Sequence, residues 1–293
     1  AFQEVDLVGV TQPISKWNYQ IRRAEDIPWA VARAFYIARS GRPGPVVLDF
    51  AKNAQTAMIE YAPQTVDFIR SYNPVPETQP GSIEMAAELI NQSVKPLMLV
   101  GQGVELAGAR QELLALCEKA QIPFGQTMLG LSAAPTGHPL NMGMLGMHGN
   151  LAPNVMTNQC DLLIAVGMRF DDRVTGDLHT YAKQAKVIHF EIDPSEVGKI
   201  VKPTVAVLGN CKQTLAQVTE LVEPARHQAW IDGFKPYAEK EYNKVIDAAL
   251  NPKDGPLLMG EVVRRVSEAT NNEAIMVTDV GQNQLFGCRY FKY

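Results

Sequence analysis

Apolar residues fall into two alternating patterns along most of the chain. Short apolar-rich runs at residues 97–100, 122–124, 162–166, 187–192 and 205–208 have the length of strands buried on both faces. Between them apolar residues recur at helical spacing. Ile83, Ala86, Leu89 and Ile90 follow Ser82, a candidate helix cap, and Leu106, Ala109, Leu113, Leu116 and Ala120 form a second stripe. Strands alternating with helices predict an α/β fold with a central, doubly wound, mainly parallel sheet of about six strands, covered on both faces. This domain is expected over residues 81–222 and is flanked by partial α/β domains.

Residues 1–52 read as the end of a preceding α/β domain. The pattern predicts a strand at residues 5–10, a helix at 26–40 and a strand at 46–50. In the helix Asp26 is the expected cap, Pro28 suits the first turn, and Val31, Ala34, Phe35 and Ala38 share a face. Residues 53–80 carry Pro63, Pro74, Pro76 and Pro80 with little periodicity, as an extended linker would. A helical linker is expected at 223–256, where Trp230, Ile231, Phe234, Tyr237 and Tyr242 form a stripe that Pro236 should bend or split. Residues 257–293 read as the start of another domain, with a helix at 257–269, a strand at 274–280 and a turn at Gly281.

Composition narrows the classes. A net charge of −4 argues against nucleic acid and anionic membranes as partners, and no apolar run approaches a membrane span. Cys117, Cys160, Cys211 and Cys288 lie far apart without a CxxC pair, so buried reduced thiols in a cytoplasmic protein are expected in place of disulfides or a metal site. The chain begins at Ala1 in register with a motif, so a piece of a longer polypeptide is expected.

Chemistry concentrates after the run 162–166. Gly167 ends it, and Arg169, Asp171, Asp172 and Arg173 follow within six residues. Open α/β sheets bind ligands beyond the carboxyl ends of their strands, and a guanidinium fork suits phosphate or carboxylate. The same loop could equally pair its own arginines and aspartates. Gly101, Gly103 and Gly108 give GxGxxxxG, a weak dinucleotide fingerprint, although such glycines permit close backbone approach. Glu191 and Asp193 end a later strand, where a carboxylate can accept from ribose hydroxyls or simply face solvent. His148 has no nucleophile motif and no second histidine at ligand spacing.

GMLGMHG at 143–149 followed by RFDDRVTG at 169–176 resembles acetohydroxyacid synthase (acetolactate synthase), a thiamine-diphosphate enzyme that also carries FAD. AFQE at 1–4, SGRPGPV at 40–46 and DVGQ at 279–282 extend the resemblance over nearly the whole chain. It implies decarboxylation of pyruvate and transfer of the two-carbon unit to a second 2-keto acid, pyruvate or 2-ketobutyrate, in branched-chain amino acid biosynthesis. It further implies magnesium, a homodimer or tetramer, and a small regulatory subunit.

Several site residues follow from the resemblance. Gln3 would line the active site as the catalytic position, and Phe2, Lys52, Met147, Asp172 and Arg173 would stand on the substrate path. FAD would be held by Arg42, Gly101, Gly103, Thr127, Met128, Leu145, Gly146, Met147, His148, Gly167, Arg169, Asp171, Arg173, Glu191, Ile192, Glu196 and Asn210. Val280, Gly281, Gln282 and Asn283 would help bind the diphosphate of thiamine diphosphate. Asn283 replaces the histidine usual there, and Asn210 an aspartate often found there. No metal ligand is assigned, and these 293 residues alone are expected to be inactive. The alternatives are a sister carboligase or oxidase of the thiamine group, or a non-catalytic FAD- or nucleotide-binding module.

Overall fold

A computed structural model describes residues 4–253 and 255–293. The chain falls into two compact units, Ala1–Pro76 and Glu77–Tyr293. In the first, β1 (Trp17–Ile21) and β2 (Val46–Phe50) pair in parallel, Trp17 opposite Val46 and Ile21 opposite Phe50. The helix Ile27–Arg39 connects them and buries Ala30, Ala34 and Ile37. Trp17 stacks on Tyr19 and both meet Trp29 edge-on, with the Arg33 guanidinium over both tryptophans.

The second unit is built on six parallel strands: β3 (Pro96–Val100), β4 (Phe124–Gln126), β5 (Asn141–Met144), β6 (Leu162–Val166), β7 (Lys186–Glu191) and β8 (Val205–Leu208). Their order across the sheet is β5-β4-β3-β6-β7-β8. The expected α/β sheet is present, and its strand alternation explains the two-sided burial. Met98, Val100, Ile164, Val166, Ile188, Phe190 and Val207 point to one face. There they meet the helices Ser82–Gln92, Arg110–Ala120 and Cys211–Leu221 through Ala86, Ile90, Leu113, Leu116, Leu215 and Val218. The intervening Leu97, Leu99, Leu163, Ala165 and Val187 point to the other face, against Ala152 and Met156 of the helix Leu151–Thr157 and against Trp230 and Phe234. The Trp230 indole also donates to the Pro96 carbonyl at 2.7 Å, satisfying its one polar atom in the core.

The structure corrects several local expectations. Residues 5–10 form no strand; Leu7–Thr11 is helical, with the Asp6 carboxylate accepting from Gly9 N–H at 3.0 Å. Asp26 makes no side-chain cap, because it already lies in a tight helical turn, and Phe35 points outward at 64% exposure. Ser82 is the first helical residue after a left-handed Gly81, and its hydroxyl donates back to Gln79 O. Leu106 belongs to a separate short helix, Gly103–Leu106, and is exposed. The run at 122–124 pairs two residues later, as β4. As expected, the helical segment splits at Pro236, which opens Lys235–Glu241 after the separate helix Gln228–Asp232; a π-helical turn, Tyr242–Ile246, follows.

The largest correction is at residues 274–280. They form no strand, and Ile275, Val277 and Val280 are exposed at 92, 85 and 85%. An apolar run becomes a strand only where a neighbouring strand takes its N–H and C=O groups. Conversely, β1 and β5 were not anticipated.

Ile164 lies fully buried in the second central strand. Its replacement by alanine is expected to cost about 2–5 kcal/mol, as core truncations do. A denaturant titration following tryptophan fluorescence would measure it.

Candidate functional site at the carboxyl edge of the sheet

From β3 the chain builds outward through β4 and β5, then returns to the other side of β3 for β6, β7 and β8. Numbered within the sheet this is the order 3-2-1-4-5-6, which places a topological switch between β3 and β6. The two strands run in register, Val100 opposite Val166, so their terminal glycines meet. Gly101 N–H donates to Val166 O at 2.9 Å and Gly103 N–H to Gly167 O at 3.0 Å. A Cβ on Gly101 would lie 2.2 Å from Gly167 O, and one on Gly103 would lie 2.6 Å from Gly167 Cα. Glycine is required here by backbone packing against backbone.

All positions assigned to FAD within this unit lie at the carboxyl end of a strand or on the loops that leave these six strands. Thr127 and Met128 follow β4, and Leu145 to His148 follow β5. The β5 loop is tied to its surroundings at both ends. Gly146 exchanges two hydrogen bonds with the Asn154 amide, at 2.9 and 2.8 Å, and Met147 N–H donates to Arg173 O at 2.7 Å. That leaves Met147 60% exposed and His148 exposed, at the rim. Asn154 was missed in the sequence; its place in the helix directly after a glycine-rich loop was the available signal.

The loop after β6 alternates outward and inward. Met168 and Phe170 are buried, whereas Arg169, Asp172 and Arg173 are exposed. Phe170 adopts a φ of +53°, and its ring meets His189 edge-on at 5.2 Å. Asp171 caps the turn Asp172–Thr175 by accepting from Arg173 N–H at 2.9 Å and approaches Arg169 Nε at 3.5 Å. Self-pairing of the loop therefore accounts for Asp171 and, weakly, for Arg169, since exposed pairs contribute little. The Arg173 guanidinium instead lies beside the Met147 sulfur, 4.0 Å away.

After β7, the Glu191 carboxylate accepts from Ile192 and Asp193 N–H at 2.8 and 3.0 Å and is largely buried. Glu196 is buried and meets Lys199 at 3.1 Å. Asn210 caps the helix Cys211–Leu221 by accepting from Lys212 N–H at 2.9 Å, a task that aspartate performs equally.

The other assigned residues belong to other segments of the chain. Arg42 and Lys52 are exposed in the first unit. Phe2 and Gln3 lie outside the described residues. Val280 and Gly281 are exposed just before the helix Gln282–Tyr290, whose first residues are Gln282 and Asn283. Cys117, Cys160 and Cys211 are buried, and burial pushes the Cys160 and Cys211 thiols up to about 12, so neither forms a ready thiolate. Among the described residues no cluster of three or more His, Cys, Asp or Glu could hold a metal ion, and no helix is long and apolar enough to cross a membrane.

A strand order of the dinucleotide-binding type, side-chain-free strand ends, exposed guanidiniums and a held carboxylate together fit an adenine-linked diphosphate. The residues present define an open, parallel α/β domain suited to a nucleotide cofactor. Residues 83–218 match the thiamine pyrophosphate enzyme central domain. That match covers the central part of the chain, and the chain as a whole is similar to acetolactate synthase large subunits. It is 38% identical over 305 aligned residues to a probable acetolactate synthase large subunit of Methanocaldococcus jannaschii, covering 100% of this chain and 51% of that relative. It is 40% identical over 286 residues to the acetolactate synthase isozyme 1 large subunit of Escherichia coli, covering 98% of this chain and 49% of the relative. The acetolactate synthase large subunit of Lactococcus lactis is 37% identical over 297 residues, 100% of this chain and 50% of the relative. The chain spans about half the length of the curated relatives it matches.

Two outcomes follow from this geometry. Gly101→Ala is expected to destabilise the second unit by about 1–3 kcal/mol through the clash with Gly167. Gly137→Ala, where a Cβ meets nothing within 4 Å, should change stability by less than about 0.5 kcal/mol. Unfolding midpoints of the two variants provide the comparison. His189 is buried, which holds its imidazole below the usual histidine range despite the opposing bond to Met168 O. The unfolded chain thus binds that proton more readily. The stability this contributes is complete above pH about 6.5 and is lost progressively below it, down to the lower folded value. In His189→Asn the corresponding slope of stability against pH should disappear from urea titrations between mildly acidic and neutral pH.

Proposed function

We propose that this chain carries the central domain of an acetolactate synthase large subunit, and that the carboxyl edge of its six-stranded sheet holds FAD. The observation that carries the reading is a coincidence of two facts. Similarity to acetolactate synthase large subunits runs over the whole chain, and the residues assigned to FAD in the second unit gather on the six loops of one sheet edge. In this reading Arg169 and Arg173 meet the diphosphate, the glycine ends of β3 and β6 let backbone approach it, and Glu191 accepts from ribose hydroxyls. Residues 1–52, with Arg42, are the end of the preceding domain. Residues 257–293 open the diphosphate-binding domain, with Val280 to Asn283 at its phosphate turn.

Thiamine diphosphate supplies the electron sink for decarboxylating pyruvate and joining the two-carbon unit to pyruvate or 2-ketobutyrate. Magnesium accompanies it. The chain's own residues bind, orient and exclude water. Gln3 lines the reacting centre, while Phe2, Lys52, Met147, Asp172 and Arg173 shape the path of the keto acids. The exposed arginines suit those carboxylates as well as phosphate. FAD takes no net electrons and serves as architecture. The working protein is a cytoplasmic homodimer or tetramer, with a small regulatory subunit as a further partner.

The test combines two measurements on the full-length protein. Purified protein should show a flavin absorbance band, and pyruvate should yield acetolactate only with thiamine diphosphate and magnesium. Arg173→Ala should weaken FAD about 10- to 100-fold, the loss of one charge-assisted hydrogen bond, measured by quenching of flavin fluorescence. A product other than an acetohydroxy acid would move the assignment to a sister carboligase or oxidase.

A further inference from the structure

One buried carboxylate is explained neither by the sheet edge nor by the core. Glu241 ends the helix Lys235–Glu241 and is only 9% exposed. A charge so placed needs partners, and Glu241 draws them from two separate parts of the second unit. Its Oε2 accepts from Leu151 N–H at 2.9 Å and from the Asn150 amide at 3.3 Å. Its Oε1 pairs with the guanidinium of Arg289, itself largely buried.

Each partner leads to a functional element. Asn150 closes the loop at residues 145–149: its N–H donates to Met144 O at 2.7 Å, and its Oδ1 accepts from Met144 N–H at 2.8 Å. The closure is tight, because a Cβ on Gly143 would lie 2.4 Å from that oxygen. Arg289 lies in the last turn of the helix Gln282–Tyr290, the helix that begins with Gln282 and Asn283. One carboxylate thus spans the base of the β5 loop, 90 and 91 residues before it, and the far end of the helix behind the phosphate turn, 48 residues after it.

We propose that Glu241 is a positioning residue that ties the β5 loop to the helix Gln282–Tyr290, so that FAD binding at the loop and thiamine diphosphate binding at the helix are coupled. The ligand half of this inference rests on the function proposed above; the tie itself rests on geometry alone. Glu241 touches no reacting atom. Its two oxygens are shared between the two elements, so a shift in one alters the bonds available to the other. Energetic coupling between sites is reciprocal, and either cofactor should tighten the other by the same factor.

Hydrogen exchange in the full-length protein without cofactors tests the tie. Arg289→Met keeps the aliphatic stem and removes the charge that holds Glu241. The amides of Met144, Gly149, Asn150 and Leu151 should then exchange about tenfold faster or more, although the substitution is in another element. Arg289→Lys should restore most of the protection. Unchanged exchange at those amides in Arg289→Met overturns the proposal.

FAD titrations with and without thiamine diphosphate and magnesium test the coupling. The dissociation constant of the unaltered protein should differ about fivefold or more between the two conditions. In Glu241→Gln, which retains an acceptor for Leu151 N–H but loses the ion pair, that factor should fall toward one. An equal factor in both proteins overturns the coupling. Absence of flavin binding by the unaltered protein overturns the functional reading, and the coupling with it, while the exchange result still decides the tie.

Discussion

The second unit depends on one close approach, where β3 and β6 end side by side and their glycines pack backbone against backbone. Gly101, Gly103 and Gly167 leave no room there for a Cβ. The contact continues the parallel ladder one step beyond the strands, through Gly101 N–H to Val166 O, before the two loops part. It lies at the point where the chain reverses its direction of building across the sheet. Loops from strands on either side diverge from it, and this divergence gives open parallel sheets their ligand crevice. A side chain at these positions would separate the two central strands at their ends. The constraint therefore links core packing to the place where a cofactor would sit.

The central fold was legible because its strands are buried on both faces. Residues 97–100, 162–166 and 205–208 are apolar without interruption, a pattern that depends on local composition alone. The two strands not anticipated lack that signature. β1 alternates aromatic and polar side chains and is only partly buried, and β5 is a four-residue edge strand carrying asparagine and glycine. The false strand at 274–280 shows the complementary failure. Its composition is that of a buried strand, but strand formation depends on a partner, and the described residues provide none. Leu106 was misplaced because a periodic stripe does not fix where helices begin and end, and Phe35 because the buried face of its helix runs through Ala30, Ala34 and Ile37.

The site was legible through its loops more than through any fingerprint. The spacing GxGxxxxG argued against the usual dinucleotide turn, whereas the strand order proved to be the one such sheets use. The glycines serve strand-to-strand contact first, so the familiar spacing to a phosphate-binding helix is not required of them. Charge after Gly167 was the stronger signal, because solvated charge directly after a buried strand marks the open edge. Asn154 and Glu241 were illegible for a different reason. Each acts by folding back on a distant or preceding segment, and nothing local distinguishes an asparagine or glutamate that will be buried from one that will not.

The charged loop after β6 is held in place by its own apolar residues. Met168 and Phe170 turn inward at 6 and 1% exposure, between neighbours that turn outward. Phe170 accepts a left-handed backbone to do so, a conformation costing about 1–2 kcal/mol for a non-glycine residue. Burying an aromatic ring contributes more than that, about 2–3 kcal/mol, and the edge-on contact with His189 adds to it. Burial disfavours the charged form of that imidazole. Anchored in this way, the loop presents Arg169 and Arg173 from a backbone already fixed by the Asp171 cap and by the bond from Met147 N–H to Arg173 O. An anion arriving at the edge would order two side chains without having to order the loop, which lowers the entropic cost of binding. The strained phenylalanine and the exposed arginines are therefore two parts of one arrangement, in which core packing places charge that the core itself could not hold.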